Sequence, residues 1–511
     1  MDAYLKKPLL RLSDNPQDFW TVDDATKGIS IMGGTGSGKT TASGKTLATT
    51  ILKEGWGGLV LCAKTDEAEL WHMYCEKTNR ANDLIIFSKG AIHQHGKYKG
   101  QEIVFNPLDY EMKRPGEGAA ETQNITNIFM NIYRMGNRIA SEGDVREERY
   151  WDTALKRCLN RTIELLKLAG EDLTYRNMVK ILSTSYKVWT EDYTNILYRV
   201  ERREEPEELV KVDSYCLYCL IKAYFNTRDE NTPDEKQNAY ELVESYFVTD
   251  LAKMGDKTRS VVTESFMGLA EPFLSGLLYR HFSGATNIFP EWTYGDNEEK
   301  RNKIIVLDFP IKEFLDAGII AQCVFKLLFQ QAIERRDIKK YPTPVFLWAD
   351  EAHYFINPYD QIFLTTARGS RASTVYLSQN ISNYLAVIGS GSDAKARVDS
   401  LMGNLSTKIF HANSDAETNE YASRLIGNDI RTLAQAGNSM TLVNFDLNKS
   451  EGLTSQFLPQ IQPREFTVLK SGGELNDFKV QAVIMVSGRQ WSNGKNYLKK
   501  TFTQSFQNET Q

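Results

Sequence analysis

The chain has 511 residues, of which 41% are apolar and 25% charged, and its formal net charge is −5. This length allows several domains of roughly 100–200 residues each, and the composition is that of a globular protein with a large core. No run approaches the roughly 18 apolar residues of a membrane span, and the opening MDAYLKKPLLRLSDNP is too polar for a secretory signal, so we expect a cytoplasmic protein. The acidic balance argues against a protein that coats DNA, but it permits a ring with a basic channel.

Residues 1–20 are predicted to form an N-terminal arm, and residues 21–114 the first part of an α/β core. GISIM at 28–32 indicates a short buried strand, and a helix is predicted to end near Gly55. Between them lies GGTGSGKT at 33–40, which matches the triphosphate-binding pattern G-x-x-x-x-G-K-[ST] in its expected strand-to-helix setting. A nucleotide would therefore lie at a helix N-terminus, where the helix dipole favours anions.

The chemistry of this loop assigns roles to its residues. Lys39 is predicted to reach the β- and γ-phosphates and to serve in catalysis, and the Thr40 hydroxyl to bind Mg²⁺. The residues predicted to bind the nucleotide are Gly33, Gly34, Thr35, Gly36, Ser37, Gly38, Lys39, Thr40 and Thr41. The expected cofactors are thus ATP and Mg²⁺.

The pattern changes in the middle of the chain. Residues 115–285 repeat apolar positions at three- and four-residue spacing, which predicts an inserted all-α domain. It contains the only CxxC, at Cys216 and Cys219, which we interpret as two buried cysteines on one helical face rather than a zinc or redox site. Apolar strands return in residues 286–453, the predicted second part of the core, and residues 454–511 are predicted to form a β-rich segment with a disordered tail. The expected fold is α/β, with a RecA-like P-loop ATPase core, a mostly parallel sheet and an inserted all-α domain. Further predicted strands are GLVLC, LIIFS, KIIVLD, VFLWAD, STVYLS, STKIF and FKVQAVIMVSG.

A second motif, WADEAH, follows the strand VFLWA. Its carboxylates fall at the carboxyl edge of the sheet, where open α/β proteins bind ligands. Asp350 is predicted to hold Mg²⁺ through its water shell, and Glu351 to orient and polarise the attacking water. The next predicted strand, STVYLS, ends before Gln379, whose amide is placed to sense the γ-phosphate and the water.

Two arginines lie in the loop TTARGSRAST between these motifs. Neither Arg368 nor Arg371 is expected to face the nucleotide of its own subunit, so each is a candidate catalytic finger inserted into a neighbour's site. We rank Arg368 first and Arg371 second. The alternative is a pair of ordinary surface arginines.

Taken in order, GGTGSGKT, GLVLCAKTDEAEL, FNPLD, a helical insertion, KIIVLDFPIKEF, WADEAH and YLSQN resemble the coupling-protein ATPases of conjugative type IV secretion, within the FtsK–HerA class of DNA-pumping motors. The resemblance covers roughly residues 28–410. It implies a homohexameric ring that moves single-stranded DNA, often with an attached relaxase. It also assigns the sensor position to Gln379 and the finger position to Arg368. Typical members begin with transmembrane helices, whereas this chain shows none, which suggests recruitment to the inner membrane by a separate secretion partner.

The sequence leaves the substrate open. DNA translocation is the favoured output, and the segment 389–400, with Lys395 and Arg397, is interpreted as a flexible loop that is a candidate to face DNA. The alternatives are an ATPase that moves or assembles proteins, as in secretion or pilus assembly, a nucleotide-gated scaffold, and a component of defence against foreign DNA.

Overall fold

The computed structural model describes residues 3–136, 145–188, 193–201, 214–228, 232–295, 301–389, 392–440 and 447–504. The end of the tail that the sequence predicts to be disordered, residues 505–511, lies outside these ranges.

The strands of the described residues include every apolar run predicted from the sequence. In chain order they are β1 (Pro8–Arg11), β2 (Phe19–Thr21), β3 (Ile29–Met32), β4 (Gly57–Leu61), β5 (Leu84–Ser88), β6 (Ile304–Asp308), β7 (Val345–Ala349), β8 (Ala372–Ser378), β9 (Thr407–Phe410), β10 (Asn428–Met440), β11 (Leu447–Pro459), β12 (Lys479–Val486) and β13 (Tyr497–Thr503).

Nine of these strands form one central sheet, in the order β13-β12-β9-β3-β8-β7-β4-β6-β5. The run from β9 to β5 is parallel throughout, and β12 is antiparallel to both of its neighbours. Both faces are covered, because alternate residues enter different cores: Leu59 and Leu61 pack on one side, and Val60 on the other. This two-sided burial explains why the strands read as continuous apolar runs, and the predicted fold class is confirmed.

Some helices pack on the two faces of the sheet, and others form the helical segment between β5 and β6. They are α1 (Val22–Ala25), α2 (Lys45–Lys53), α3 (Glu67–Lys77), α4 (Pro107–Lys113), α5 (Thr122–Gly136), α6 (Val145–Ala169), α7 (Tyr175–Thr184), α8 (Tyr193–Glu201), α9 (Tyr215–Asn226), α10 (Asp234–Glu244), α11 (Asp256–Ala270), α12 (Gly276–Phe282), α13 (Ile311–Arg335), α14 (Tyr359–Thr366), α15 (Ile381–Ile388), α16 (Ser392–Gly403), α17 (Ala416–Ile426) and α18 (Pro463–Thr467).

The described part of residues 115–285 holds α5 to α12, as the apolar periodicity predicts. Within it, Cys216 and Cys219 are both buried on α9, and burial raises the pKa of Cys219 to about 12. No helix in the described ranges combines the length and apolar character needed to cross a membrane.

Two sequence interpretations need correction. The segment 389–400 is not a flexible loop over its described residues, because α16 begins at Ser392 and is anchored by Ala394 and Val398, which are buried one helical turn apart. Lys395 of this helix pairs with Glu417 at 3.2 Å. The long antiparallel hairpin of β10 and β11 was not predicted, and β11 runs across the domain boundary placed after residue 453. The other domain limits remain predictions.

Candidate nucleotide site

The glycine-rich loop leaves the carboxyl end of β3 and enters a helix. Gly36 and Gly38 have φ values of 74° and 81°, a region that residues with a side chain rarely adopt. A Cβ atom at Gly38 would also lie 2.5 Å from Val480 Cγ2, so this glycine packs directly against β12. After the loop, Thr40–Gly44 form a wide π-helical turn that continues into α2.

The end of β13 braces the same loop. The Gln504 side chain donates from Nε2 to Thr41 Oγ1 at 2.6 Å and accepts at Oε1 from the backbone N–H of Gly473 at 2.9 Å. The phosphate-loop helix is therefore tied to the antiparallel hairpin of β12 and β13, a contact that the sequence analysis missed.

Asp350 faces the first turn of that helix. Thr40 Oγ1 donates to Asp350 Oδ2 at 3.0 Å, and the other carboxylate oxygen accepts from the Glu351 N–H at 2.9 Å. Burial acts to raise the pKa of Asp350, but the positive charges of Lys64 and Lys39 outweigh it and hold that pKa below its usual value. The predicted metal-site pair, Thr40 and Asp350, is thus in contact and carries a negative charge.

Glu351 lies opposite the loop lysine. Lys39 Nζ is 3.5 Å from Glu351 Oε1, and both side chains are buried. Glu351 has a left-handed backbone, with φ 47° and ψ 46°, which costs about 1–3 kcal/mol for a residue with a side chain. Its second oxygen, Oε2, is buried and accepts no hydrogen bond. Strain of this kind concentrates at functional sites, and the unpartnered oxygen is available to accept a proton or to bind water.

Gln379 contacts residues of both motifs, and its role as a sensor of the γ-phosphate remains a prediction. Its Nε2 donates to Glu351 Oε1 at 3.3 Å, and its Oε1 accepts from Thr35 Oγ1 at 3.5 Å. One amide therefore contacts both the phosphate loop and the predicted general base. Because Gln379 directly follows β8, a displacement of either contact would also displace the end of that strand.

Three further side chains enter the site without a role from the sequence analysis. His353 Nδ1 lies 3.2 Å from Ser378 Oγ and 3.8 Å from Glu351 Oε2, and burial lowers the pKa of this histidine. Lys64 and Glu67, at the end of β4 and the start of α3, approach Asp350 from the other side. One sequence signal could have identified Lys64, because it follows a predicted strand and so lies at the carboxyl edge of the sheet, where ligands bind. The sequence does not show, however, that β4 lies beside β7, which brings Lys64 to Asp350.

Arg368 and Arg371 lie far from this cluster. Both precede β8, whereas Gln379 follows it, and the seven residues of that strand span roughly 20 Å at about 3.3 Å each. Arg368 Nε donates to Asp23 Oδ1 at 3.1 Å, and Arg371 Nη1 donates to the Pro342 carbonyl at 2.7 Å. Neither arginine is brought to the site of its own chain, so their catalytic role remains a prediction.

The remaining residues fit a nucleotide with its metal. The buried Ser37 Oγ, like Glu351 Oε2, has no hydrogen-bond partner and lies within the loop that would surround the phosphates. A hard cation such as Mg²⁺ prefers oxygen ligands, which Thr40 and Asp350 supply, and Lys39 supplies the positive charge for phosphate. With the parallel sheet and its strand-to-helix loop, these features are those of the P-loop nucleotide-binding fold.

Comparison with known proteins gives a more specific likeness. Residues 344–459 match the protein family described as the TraM recognition site of TraD and TraG. Among solved structures, the plasmid coupling protein TrwB with the non-hydrolysable GTP analogue GDPNP superposes with a TM-score of 0.56, at 13% identity, over 98% of this chain and 91% of that one. TrwB with ADP and Mg²⁺ gives 0.53, at the same identity and coverage. The comparison with curated proteins gave no match. The chain therefore has the coupling-protein fold, with a RecA-like core, and the resemblance indicated by its motifs is confirmed.

Proposed function

We propose that this chain is a Mg²⁺-dependent ATPase that works as a homohexameric ring and translocates single-stranded DNA in conjugative, type IV secretion-like transfer. The observation that carries the proposal is the continuous contact from Thr35 through Gln379 and Glu351 to Lys39, beside the Thr40–Asp350 pair. The coupling-protein fold and the family match over residues 344–459 support the choice of DNA transfer.

The residues divide the chemistry between them. The loop from Gly33 to Thr41 would hold the phosphates by its backbone N–H groups, while Lys39 neutralises their charge. Mg²⁺ held by Thr40 and Asp350 would draw charge from the phosphate oxygens as a Lewis acid. Glu351 is placed to accept a proton from the attacking water at Oε2, the oxygen that has no hydrogen bond. Gln379 would orient that water and transmit the state of the γ-phosphate to β8.

The arginines would complete the site from a neighbouring subunit. Arg368 and Arg371 precede β8, and Gln379 follows it, so the arginines lie at the opposite end of this strand from the site. A catalytic role for either arginine therefore requires another copy of the chain. Arg368 is the first candidate, since its side chain is 59% exposed and is held only at the surface by Asp23. An arginine supplied in this way contributes a factor of about 10³–10⁵ in rate.

The proposed partners follow from the same resemblance. Residues 344–459 would contact a partner that resembles TraM, for which the matching family is named. By the resemblance to conjugative coupling proteins, a relaxase would travel with the DNA. A separate membrane-anchored secretion protein would hold the ring at the cytoplasmic face of the inner membrane.

The test is ATP hydrolysis measured against protein concentration, with and without single-stranded DNA, at two salt concentrations. A rate per subunit that rises with concentration, and rises further with DNA at low salt, is the expected result. Glu351→Gln provides the inactive background, and Lys499→Met, which removes an exposed ion pair with Glu465, is the matched surface control. Stimulation by a protein substrate instead of DNA would favour a protein-moving ATPase. A wild-type turnover that is already negligible would favour a nucleotide-gated scaffold, and a substantial turnover unchanged by Glu351→Gln would show that the catalytic assignment of Glu351 is wrong.

A further inference from the structure

Lys64 occupies a position that the proposed mechanism does not use. Its Nζ lies 3.2 Å from Asp350 Oδ2 and 3.4 Å from Glu351 Oε1, so one ammonium group contacts both carboxylates of the second motif. The position follows from the sheet: β4 pairs with β7 with Leu61 opposite Ala349, and Lys64 and Asp350 leave the ends of these neighbouring strands. Asp350 Oδ2 is also the oxygen to which Thr40 donates.

The same ammonium group has a third carboxylate within reach. Glu67 Oε1 is 3.8 Å from Lys64 Nζ, is buried, and accepts no hydrogen bond. The other oxygen of Glu67 is fixed by the Ala63 N–H at 2.7 Å, so this carboxyl group does not move with Lys64. The Lys64 side chain is 40% exposed and flexible in type, which leaves it free to change partners.

A metal at the Thr40–Asp350 pair cannot share that place with a lysine. The water shell of the metal would compete with Lys64 for hydrogen bonding to Asp350 Oδ2, and two positive charges beside that oxygen repel each other. Glu67 offers a buried oxygen that accepts no hydrogen bond, at 3.8 Å from Lys64 Nζ, which is the distance of a weak ion pair. Lys64 thus has two alternative positions, one beside Asp350 and Glu351 and the other beside Glu67.

We infer that Lys64 is a positioning residue for the metal, which neutralises Asp350 and Glu351 in the metal-free protein and transfers to Glu67 when Mg²⁺ binds. The inference rests on the proposed Mg²⁺-dependent ATPase function. As a consequence, metal that binds alone must compete with the ammonium group of Lys64. Metal that binds together with a nucleotide brings phosphate charges, which compensate for the contacts that Lys64 gives up with Asp350 and Glu351. The site therefore takes up metal together with nucleotide.

The test measures metal binding rather than turnover. Mn²⁺ serves as the probe, and its dissociation constant is determined by electron paramagnetic resonance titration of the full chain without nucleotide. Lys64→Met is expected to bind Mn²⁺ about two- to fivefold more tightly than wild type, since a competing partly exposed ion pair is gone. Lys64→Arg, which keeps the charge, should stay close to wild type. Glu67→Gln should bind Mn²⁺ about threefold more weakly, because Lys64 then has no carboxylate to pair with when the metal displaces it from Asp350.

Two outcomes overturn the inference: unchanged or weaker Mn²⁺ binding in Lys64→Met, or a Glu67→Gln variant that matches wild type. Lys499→Met checks for a general effect of lost surface charge, and the thermal midpoint of each variant checks folding. A further titration with a non-hydrolysable ATP analogue separates the two levels of the argument. If wild type gains no Mn²⁺ affinity with the analogue, the proposed nucleotide site itself is wrong. If it gains affinity but Lys64→Met shows no change without nucleotide, the role of Lys64 alone is wrong.

Discussion

Activity restored by mixing two inactive variants would establish that Arg368 acts on a neighbouring subunit. Arg368→Ala lacks the finger but keeps its own Glu351, and Glu351→Gln lacks the general base but keeps its own Arg368. The arginine cannot serve its own site, because β8 separates it from Gln379 by seven residues, or roughly 20 Å. Each variant alone should lose a factor of at least about 10² in rate.

The expected recovery can be worked out from ring statistics. In randomly mixed rings, a site is complete only when an Arg368→Ala subunit supplies Glu351 and its neighbour, a Glu351→Gln subunit, supplies Arg368. With equal amounts of the two variants this holds at about one interface in four, so the mixture should reach about a quarter of the wild-type rate. The assay is ATP turnover of rings co-expressed with two different affinity tags and purified through both.

A mixture no more active than its parents, in doubly purified rings, would refute the reasoning. The same mixture made with Arg371→Ala is the matched comparison, since Arg371 lies in the same loop and contacts the Pro342 carbonyl of its own chain. Recovery with Arg371→Ala but not with Arg368→Ala would transfer the finger role to Arg371.

Three further outcomes are expected. Glu351→Gln should lower ATP turnover by about 10²–10⁴ while leaving the dissociation constant for a non-hydrolysable analogue unchanged or lower, because a negative charge beside the phosphates is removed; weaker analogue binding would contradict this role. Lys326→Met should destabilise the protein by about 3–5 kcal/mol in urea unfolding, since it breaks a fully buried ion pair with Asp360 at 2.7 Å; a loss below about 1 kcal/mol, as expected of exposed pairs, would show that Asp360 is satisfied by its other donors. Burial lowers the pKa of His411 to about 4, and because this folded-state pKa lies below that of the unfolded chain, stability is present above about pH 6.5 and is lost as the pH falls towards 4. Acidification to pH 4.5 should cost about 2–3 kcal/mol through this group, and His411→Gln should flatten that slope in a thermal-midpoint series against pH.

Local patterns were sufficient to predict that the phosphate loop and the second motif lie together, whereas the catalytic roles of their residues remain predictions. GGTGSGKT and WADEAH predict their roles because each lies within one strand-to-loop connection, and the side chains then meet when two parallel strands lie in one sheet. The central strands were equally clear, since burial on both faces makes them continuous apolar runs.

Contacts between distant segments were not predictable in this way. Lys64 and Glu67 reach Asp350 only because β4 is the neighbour of β7. The order of strands in a sheet cannot be predicted from the local sequence pattern of each strand. Gln504 lies beyond every recognised motif. Helix α16 was misread because Gly389 and the serines around it favour a loop, whereas the buried Ala394 and Val398 decide the outcome through tertiary packing.

The brace between Gln504 and Thr41 links positions 463 residues apart. Contacts of such long sequence separation form late, because the chain between them must first be ordered. A partly folded chain could already contain β3 and the glycine-rich loop, yet it would lack the contacts that Val480 and Gln504 make with this loop and its helix. Nucleotide binding would then distinguish fully folded from partly folded molecules, so that the proposed ATPase would not consume ATP before its own folding is complete.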